Sequence, residues 1–345
     1  MNLMRGTLAL IAISGWAATP GGYIGAQACR TCHSAQFQSQ SASAHAAALS
    51  RVSPSAAFPA GKLTRAPKYR YEILPTDNGL RVHIADGVDL MDLPLEWAFG
   101  AGRQATTFVT RVHPEWYIEH YTSFYSATKS YGPTPGQREL QPKAMSEAAG
   151  VLYKIADLQH GIKGCFECHS TGPVSFSEQG DASVTELGVH CETCHGPGAA
   201  HAADPRRQRL VNPAKLSPVE LNATCGTCHR PPAAKGVAID WSYSWNVRHQ
   251  PVYLSQSRCF LKSGTLACLS CHDPHEPAGT RKPVAFYNQK CLGCHSGDHK
   301  TECLAKGREN CIDCHMPLVA PQPPLRFANH WIGIYRTGSK LKPER

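Results

Sequence analysis

The chain has 345 residues, 42% of them hydrophobic and 18% charged, with 16 cysteines and a formal charge of +9. That length is too great for a small disulfide-stapled scaffold, and no segment after the N-terminus is apolar enough to span a bilayer. The basic excess points at first to nucleic acid or a membrane surface, a reading that the cysteine pattern reverses below.

Residues 1–18 have the form of a secretory signal. Met1 to Arg5 give a short positive start, Leu8 to Trp16 an apolar run, and Ala17 and Ala18 small residues near a cleavage point. The run is shorter than the ~20 residues of a membrane helix. A lipoprotein would carry its acylated cysteine directly after that run, whereas the first cysteine, Cys29, lies well beyond it and belongs to another pattern.

That pattern is Cys29-x-x-Cys32-His33, and it opens a first segment over residues 19–50. It recurs as Cys165-x-x-Cys168-His169, Cys191-x-x-Cys194-His195, Cys225-x-x-Cys228-His229, Cys268-x-x-Cys271-His272, Cys291-x-x-Cys294-His295 and Cys311-x-x-Cys314-His315. C-x-x-C-H attaches a c-type haem. Each thiol adds across a vinyl group of the porphyrin, and the adjacent imidazole becomes the proximal ligand of the iron. Structural zinc is the competing reading, because paired C-x-x-C knuckles build tetrahedral sites. Zinc makes no demand on the residue after the second cysteine, and here it is His in every copy. Seven covalently attached haem c groups are therefore the expected cofactors, with His33, His169, His195, His229, His272, His295 and His315 as proximal ligands. Only Cys259 and Cys303 fall outside the motifs, either as one disulfide or as buried thiols.

Haem also changes the charge. Two propionates on a ferric core leave each group at net −1, so seven bring +9 to about +2, and seven ferrous groups bring it to about −5. The basic side chains then read as propionate partners, and charge gives no support to a nucleic-acid ligand.

Residues 34–49 are rich in Ala and free of Gly and Pro, which predicts a helix carrying His45. Residues 51–160 hold no haem motif. Tyr69 to Leu74 and Leu80 to Ile84 alternate apolar and polar residues, and Thr76-Asp-Asn-Gly79 between them reads as a hairpin turn centred on Asn-Gly. Further β-like runs cover Thr106 to Val112 and Trp116 to Tyr125, and Gly132 to Gly136 closes the region. A small β-rich insert between the first and second motifs is expected. His83, His113 and His120 read as surface or packing residues, with His113, His120 and Tyr121 held in reserve as acid–base groups for a substrate pocket.

Residues 161–320 carry the other six motifs. Ser217-Pro-Val-Glu220 is a helix start, with Ser as cap, Pro in the first turn and Glu completing a capping box. Elsewhere Gly and Pro interrupt every long periodic segment. The expected fold is therefore mostly α and irregular, with little regular structure, its core supplied by porphyrins. Residues 321–345 form a Pro-rich extension carrying His330 and a basic tail.

Bis-histidine ligation needs one more histidine per haem. His275 lies three residues past His272, so the chain between them spans at most about 11 Å and cannot pass round the porphyrin rim to the same iron. His275 should serve another haem, and the same logic applies to His299 after His295 and to His190 before Cys191. His249 and His330 sit away from any motif. The candidate distal ligands are His45, His190, His201, His249, His275, His299 and His330, with His160 as a rival.

The chain resembles the multihaem cytochromes with doubled C-x-x-C-H motifs and is similar to the tetrahaem cytochrome c of nitrification. The residues that carry this are Tyr23-Ile-Gly25 before Cys29, His45 after it, Gly188-Val-His-Cys-Glu-Thr-Cys-His-Gly-Pro-Gly198 with His201, Cys268-Leu-Ser-Cys-His-Asp-Pro-His275 and Cys311-Ile-Asp-Cys-His-Met-Pro317. The resemblance covers most of the chain outside the β-rich insert. It implies a periplasmic electron carrier and suggests His45, His201 and His275 as distal ligands.

Three functions follow from these residues. The first is electron transfer through closely packed bis-His haems, in the periplasm or outside the cell, between redox partner proteins that the sequence does not identify. The second is an oxidoreductase acting on a small nitrogen or sulfur compound at one five-coordinate haem, although no Cys-x-x-Cys-Lys variant marks such a haem. The third is a subunit of an oligomer or extracellular filament.

Overall fold

The computed structural model describes residues 22–55, 58–157, 159–232, 237–280, 282–296 and 310–344. The expected signal (residues 1–18), His299 and Cys303 lie outside the described residues.

The chain enters through two short helices, α1 (Ala26–Cys29) and α2 (Ser34–Ser41). The helix expected over 34–49 stops early, at a cap on Ala42. The serines there bond elsewhere: Ser39 donates to the carbonyl of His275 at 2.5 Å, and the Ser43 hydroxyl accepts from Ala46 N–H at 3.2 Å. Serine side chains that offer the backbone such alternatives favour a helix end over its interior. His45 therefore lies in the turn beyond the helix.

Two antiparallel sheets follow. The larger is built from β1 (Leu49–Arg51), β6 (Trp97–Phe99), β7 (Ala105–His113), β8 (Trp116–Tyr125), β9 (Ser130–Pro133) and β10 (Gly150–Lys154). The smaller, in the order β2 (Gly61–Arg65), β3 (Tyr69–Thr76), β4 (Gly79–Ala85), β5 (Leu90–Leu95), is a meander. The larger runs β1-β6-β7-β8-β10, with β9 also pairing β8. The period-2 pattern read from the sequence sets the inward faces: Tyr69, Tyr71 and Ile73 on β3, with Leu80, Val82 and Ile84 on β4, are all buried. They meet Phe108, Ile118 and Tyr121 of the larger sheet in one core, closed by α3 (Met145–Ala149). At the β3–β4 hairpin Thr76 pairs with Gly79, so the two-residue tip is Asp77-Asn78 rather than Asn-Gly.

The far face of the larger sheet is covered too. Trp97, Phe99, Val109 and Tyr117 pack on Ile162 and Phe166 of α4 (Ile162–His169) and on Val174 and Ala182 of the hairpin β11 (Ser170–Phe176) and β12 (Ala182–Leu187). Phe166 is the hub, with ring centres 4.9 Å from Trp97, 5.1 Å from Phe99 and 5.9 Å from Tyr117. It lies inside the second motif, so a haem-attachment sequence is keyed directly into the sheet. Burying one such ring contributes roughly 1.5–3 kcal/mol.

The rest is short helices: α5 (Cys191–His195), α6 (Ala199–Ala203), α7 (Pro218–His229), α8 (Gln250–Leu254), α9 (Arg258–Ser263), α10 (Val284–His295) and α11 (Cys311–His315). The small pair β13 (Leu318–Val319) and β14 (Phe327–Ala328) follows. The capping box expected at Ser217 is formed, with Glu220 N–H donating to the Ser217 hydroxyl and Ser217 N–H to the Glu220 carboxylate.

The expectation of a mostly α, irregular chain with little regular structure is overturned. Helix takes 28% and strand 26% of the described chain, and the strands form several antiparallel sheets. Several of the Gly and Pro residues that suggested irregularity, such as Gly79, Gly150, Gly172, Pro173 and Gly180, sit at hairpin tips, a register shift or strand ends, which is where a sheet tolerates them. Among the described residues no helix is long and apolar enough to cross a membrane.

Candidate functional site

Each motif occupies a single helical turn, even where the helix is short. His33 N–H donates to the Cys29 carbonyl at 2.9 Å, and His272 N–H to that of Cys268 at 3.0 Å. In such a turn positions i, i+3 and i+4 share one face. The two thiols and the imidazole of every motif therefore point the same way.

Four of the motif histidines face a second imidazole. His33 meets His201 with ring centres 6.3 Å apart, His45 meets His229 at 6.2 Å, His195 meets His275 at 6.2 Å, and His272 meets His330 at 6.1 Å. An imidazole nitrogen bonds a metal at about 2.0 Å and sits about 1.1 Å from its ring centre, so two imidazoles across one iron have centres about 6.2 Å apart. Rotation about the axis through the metal does not alter that spacing, so interplanar angles from 6° to 82° are all compatible with it. The tautomers also fit. His195, His201, His315, His169 and His330 each place Nδ1 at 2.7–3.0 Å from a backbone carbonyl, respectively of Val211, Gln208, Gly333, Ala48 and Ala328. A carbonyl only accepts, so Nδ1 carries the proton and Nε2 keeps the lone pair a metal needs. Among the described residues no three or more Cys, His, Asp or Glu side chains converge as an ion cage of protein ligands would require. The donors come as facing pairs separated by the width of one metal, which suits haem and not tetrahedral zinc.

The motifs also touch one another through their sulfurs. Cys29 contacts Cys191, Cys168 contacts Cys228, Cys225 contacts Cys268, and Cys291 contacts Cys311. Burial pushes the Cys194 thiol up to about 11, with Cys225 and Cys228 adding to the effect, so the third motif lies against the fourth. The Cys291 thiol is likewise pushed up to about 11 by burial and then by Cys311 and Cys271.

Residues 119–196 match the family described as cytochrome c554 and c-prime, a span holding the second and third motifs. This is a multihaem c-type cytochrome. The matched span begins at Glu119, inside the region that the resemblance had left out. No curated protein matches the chain. Among solved structures, the outer cell wall cytochrome OcwA aligns over 90% of this chain and 79% of its own, with a TM-score of 0.52 at 15% identity. An undecahaem cytochrome from the S-layer of Carboxydothermus ferrireducens aligns over 81% of this chain and 44% of its own, with a TM-score of 0.40 at 18% identity.

The cytochrome places its other candidate ligands differently. Both ring nitrogens of His190 lie against oxygens, Nδ1 at 3.1 Å from Gln40 Oε1 and Nε2 at 3.0 Å from the Leu187 carbonyl. His249 is held neutral, its pKa lowered to about 4 by burial and by Arg248 and Arg230. His160 is exposed beside Asp157, which accepts from its backbone N–H. His169 meets the ring of Phe99 at 5.3 Å.

The reserve acid–base residues lie in or on the sandwich. His83 pairs with Asp92 at 3.4 Å across two strands, and His113 Nδ1 accepts from Glu115 N–H. Tyr121 stacks on Tyr71 beneath the Arg65 guanidinium. His120 is fully buried and bonded to the Thr110 hydroxyl at 2.8 Å. The sequence reading missed Phe166, although an aromatic between two motif cysteines is a signal, and Glu119, the one acid in the run Trp116 to Tyr125.

One close approach fixes the lower end of this region. Gly188 (φ +83) lets the chain before the third motif cross the backbone beside His45, where an added Cβ would meet the Ala46 carbonyl oxygen at 1.9 Å. The His45 carbonyl accepts from Val189 N–H at 2.9 Å in the same crossing.

Proposed function

We propose that the protein is an exported seven-haem cytochrome, periplasmic or secreted, that relays electrons between redox partner proteins through haems with histidine on both faces of the iron. The observation that carries this reading is the set of four facing imidazole pairs, each joining a motif to a histidine from a distant part of the chain. One-electron chemistry at iron is what the bound groups supply. The chain's own residues do the rest. The fourteen motif cysteines anchor the groups, and His201, His45, His275 and His330 fill the positions opposite His33, His229, His195 and His272. At His195, His201 and His330 backbone carbonyls that accept from Nδ1 hold the ring and raise the basicity of Nε2. For the second, sixth and seventh motifs the candidates are His190, His249 and His299.

The motif contacts set an order for the relay. The first lies on the third, the third on the fourth, the fourth on the fifth, and the sixth on the seventh, with Cys271 near Cys291 linking the fifth to the sixth. The second touches the fourth from the side, through Cys168 and Cys228. Export is supported by the signal-like N-terminus, and the likeness to OcwA, an outer cell wall cytochrome, agrees with it.

An absorption spectrum tests the reading. Only low-spin ferric haem, and no carbon monoxide binding after reduction, is expected of a pure relay; a high-spin fraction that takes up carbon monoxide overturns it. His275→Ala should convert one haem to high spin while all haem stays attached, and an unchanged spectrum would remove His275 from the ligand set.

A further inference from the structure

We propose that Glu119 is the proton acceptor coupled to reduction of the haem held by Cys165, Cys168 and His169. The inference rests on the reading that the second motif carries haem, and goes beyond it by assigning a function to a residue of the β-rich region.

The position of Glu119 is built. Along β7 and β8, Val109 pairs with Glu119 but Thr107 pairs with Ser123, so His120, Tyr121 and Thr122 face a single residue, Phe108. Such a bulge re-aims the side chains around it and is a common device beside functional sites. On the other edge Gly150 (φ +153) lets β10 cross so closely that an added Cβ would meet the Glu119 carbonyl oxygen at 2.0 Å. The sheet is distorted on both sides of this one residue.

Among the described residues the carboxylate has only neutral donors as hydrogen-bond partners: Gln137 Nε2 at 2.9 Å and the Tyr153 hydroxyl at 3.3 Å. Glu119 keeps part of its surface accessible, and Arg248 is exposed. Among the described residues, the charged or titratable groups acting on Glu119 are Tyr153 on β10, Cys165 on α4 and Arg248 in the turn 244–248. His120, next to it, is turned to Thr110. Burial raises the Glu119 pKa against the pull of Gln137, Tyr153 and Arg248, and its charge in turn pushes the Cys165 thiol upward, after burial, to about 11. The acid therefore lies beside the edge where haem would be attached, with a raised proton affinity.

The coupling follows from charge. A ferric core favours the ionised carboxylate, and a ferrous core has one positive charge fewer and favours the acid. When an electron from the ferrous haem on Cys225 and Cys228 reduces the ferric haem on the second motif, Glu119 takes one proton from solvent on a carboxylate oxygen. The donor haem becomes ferric, and electrons, protons and charge balance. Between the two pKa values of Glu119 the potential of this haem then falls with rising pH, by at most 59 mV per tenfold change in proton activity.

The test is a spectroelectrochemical titration of the full holoprotein between about pH 5 and 9, with haem counted by mass. One of the potentials is expected to fall with pH in the native protein and to be constant in Glu119→Gln. Tyr153→Phe, which removes a donor to the ionised form, should keep the slope and move its window to higher pH. A Cys165→Ser/Cys168→Ser protein should lose the pH-dependent potential altogether. The proposal is overturned if Glu119→Gln titrates like the native protein, or if no potential depends on pH while the second motif carries haem. If mass shows that motif to be empty, the underlying haem assignment fails first and the proposal with it.

Discussion

The region from Leu49 to Lys154 and the region from Gly161 to Tyr335 solve the problem of a core in different ways. The first buries its own side chains: Tyr69, Tyr71, Ile73, Val82, Ile84 and Phe108 are 0–2% exposed and pack between two hydrogen-bonded sheets. Among the described residues the second has one small cluster of its own, around Val247, Val252, Tyr253 and Val319. Three of its motif helical segments, at Cys191, Cys268 and Cys311, are single turns, and His195 and His229 are left accessible or half-covered by protein. Isolated helices this short are unstable in water. On the proposed reading, bound haem holds them, and the facing histidines would then act as cross-links between distant segments. The comparison leads to the expectation that a β-sandwich with its own core is joined to a region whose folding is coupled to the loading of its cofactors.

The sharpest way to break this comparison is to withhold haem attachment. Protein made without attachment should lose protection against proteolysis and hydrogen exchange across 161–335, while β3, β4, β7 and β8 remain protected. Uniform loss over both regions would show that the sandwich depends on haem as well. The next largest effects separate the sandwich's two faces. Phe108→Ala and Phe166→Ala should each cost about 3–5 kcal/mol of the stability of the sheets. Phe108 is buried between the sheets, so its loss should leave the haem spectrum alone. Phe166 belongs to the second motif and touches Trp97, Phe99 and Tyr117, so its loss should perturb one haem as well.

The sandwich also carries a pH dependence of its own. His120 is 1% exposed, and burial lowers its pKa from 6.5 to about 3. The Thr110 hydroxyl donates to the Pro94 carbonyl, so it accepts from His120 Nε2–H, and Nδ1 has no partner among the described residues. Above pH 6.5 the ring is neutral folded and unfolded, and the stability is fully present. As pH falls below that value the unfolded chain binds the proton and the folded one does not. Stability of the sandwich should then drop by up to about 1.4 kcal/mol per pH unit until the folded pKa is reached. Denaturation curves read on β8 amides check this, and His120→Gln should flatten the profile.

How much of this could be read from the sequence differs between the two regions for physical reasons. Attachment chemistry demands residue types at fixed spacing, so all seven motifs were visible, and alternation along Tyr69 to Ile84 marked β3 and β4. Spacing also excluded His275 from its own motif's iron. It could not say that His275 would face His195, because that pairing is set by tertiary packing. The hairpin β11–β12 was missed because Ser170-Thr-Gly-Pro-Val-Ser-Phe176 carries Gly and Pro in a strand, with a register shift between Thr171 and Val174. The union of sandwich and motif through Phe166 was missed because each was read as a separate unit.

The smallest expected effect lies where the haem-binding region does rely on its own sequence. Of the motif helices, α7 has a complete capping box, at Ser217 and Glu220, and Leu221 and Asn222 as buried residues in its first turns. Replacing an N-cap serine by alanine costs about 1 kcal/mol. Once Cys225, Cys228 and His229 hold a haem, the last turn of α7 is fixed at the other end, and the lost cap should barely change the spectrum. Before attachment nothing fixes that end, so Ser217→Ala should instead lower the yield of protein carrying haem at the fourth motif, read by mass. That motif touches the second, third and fifth, so a cap worth little to the finished protein guards the junction on which the proposed relay depends. If Ser217→Ala lowers the stability of the loaded protein by its full ~1 kcal/mol and leaves the yield unchanged, α7 folds by its own signals, and the two regions differ less in what stabilises them.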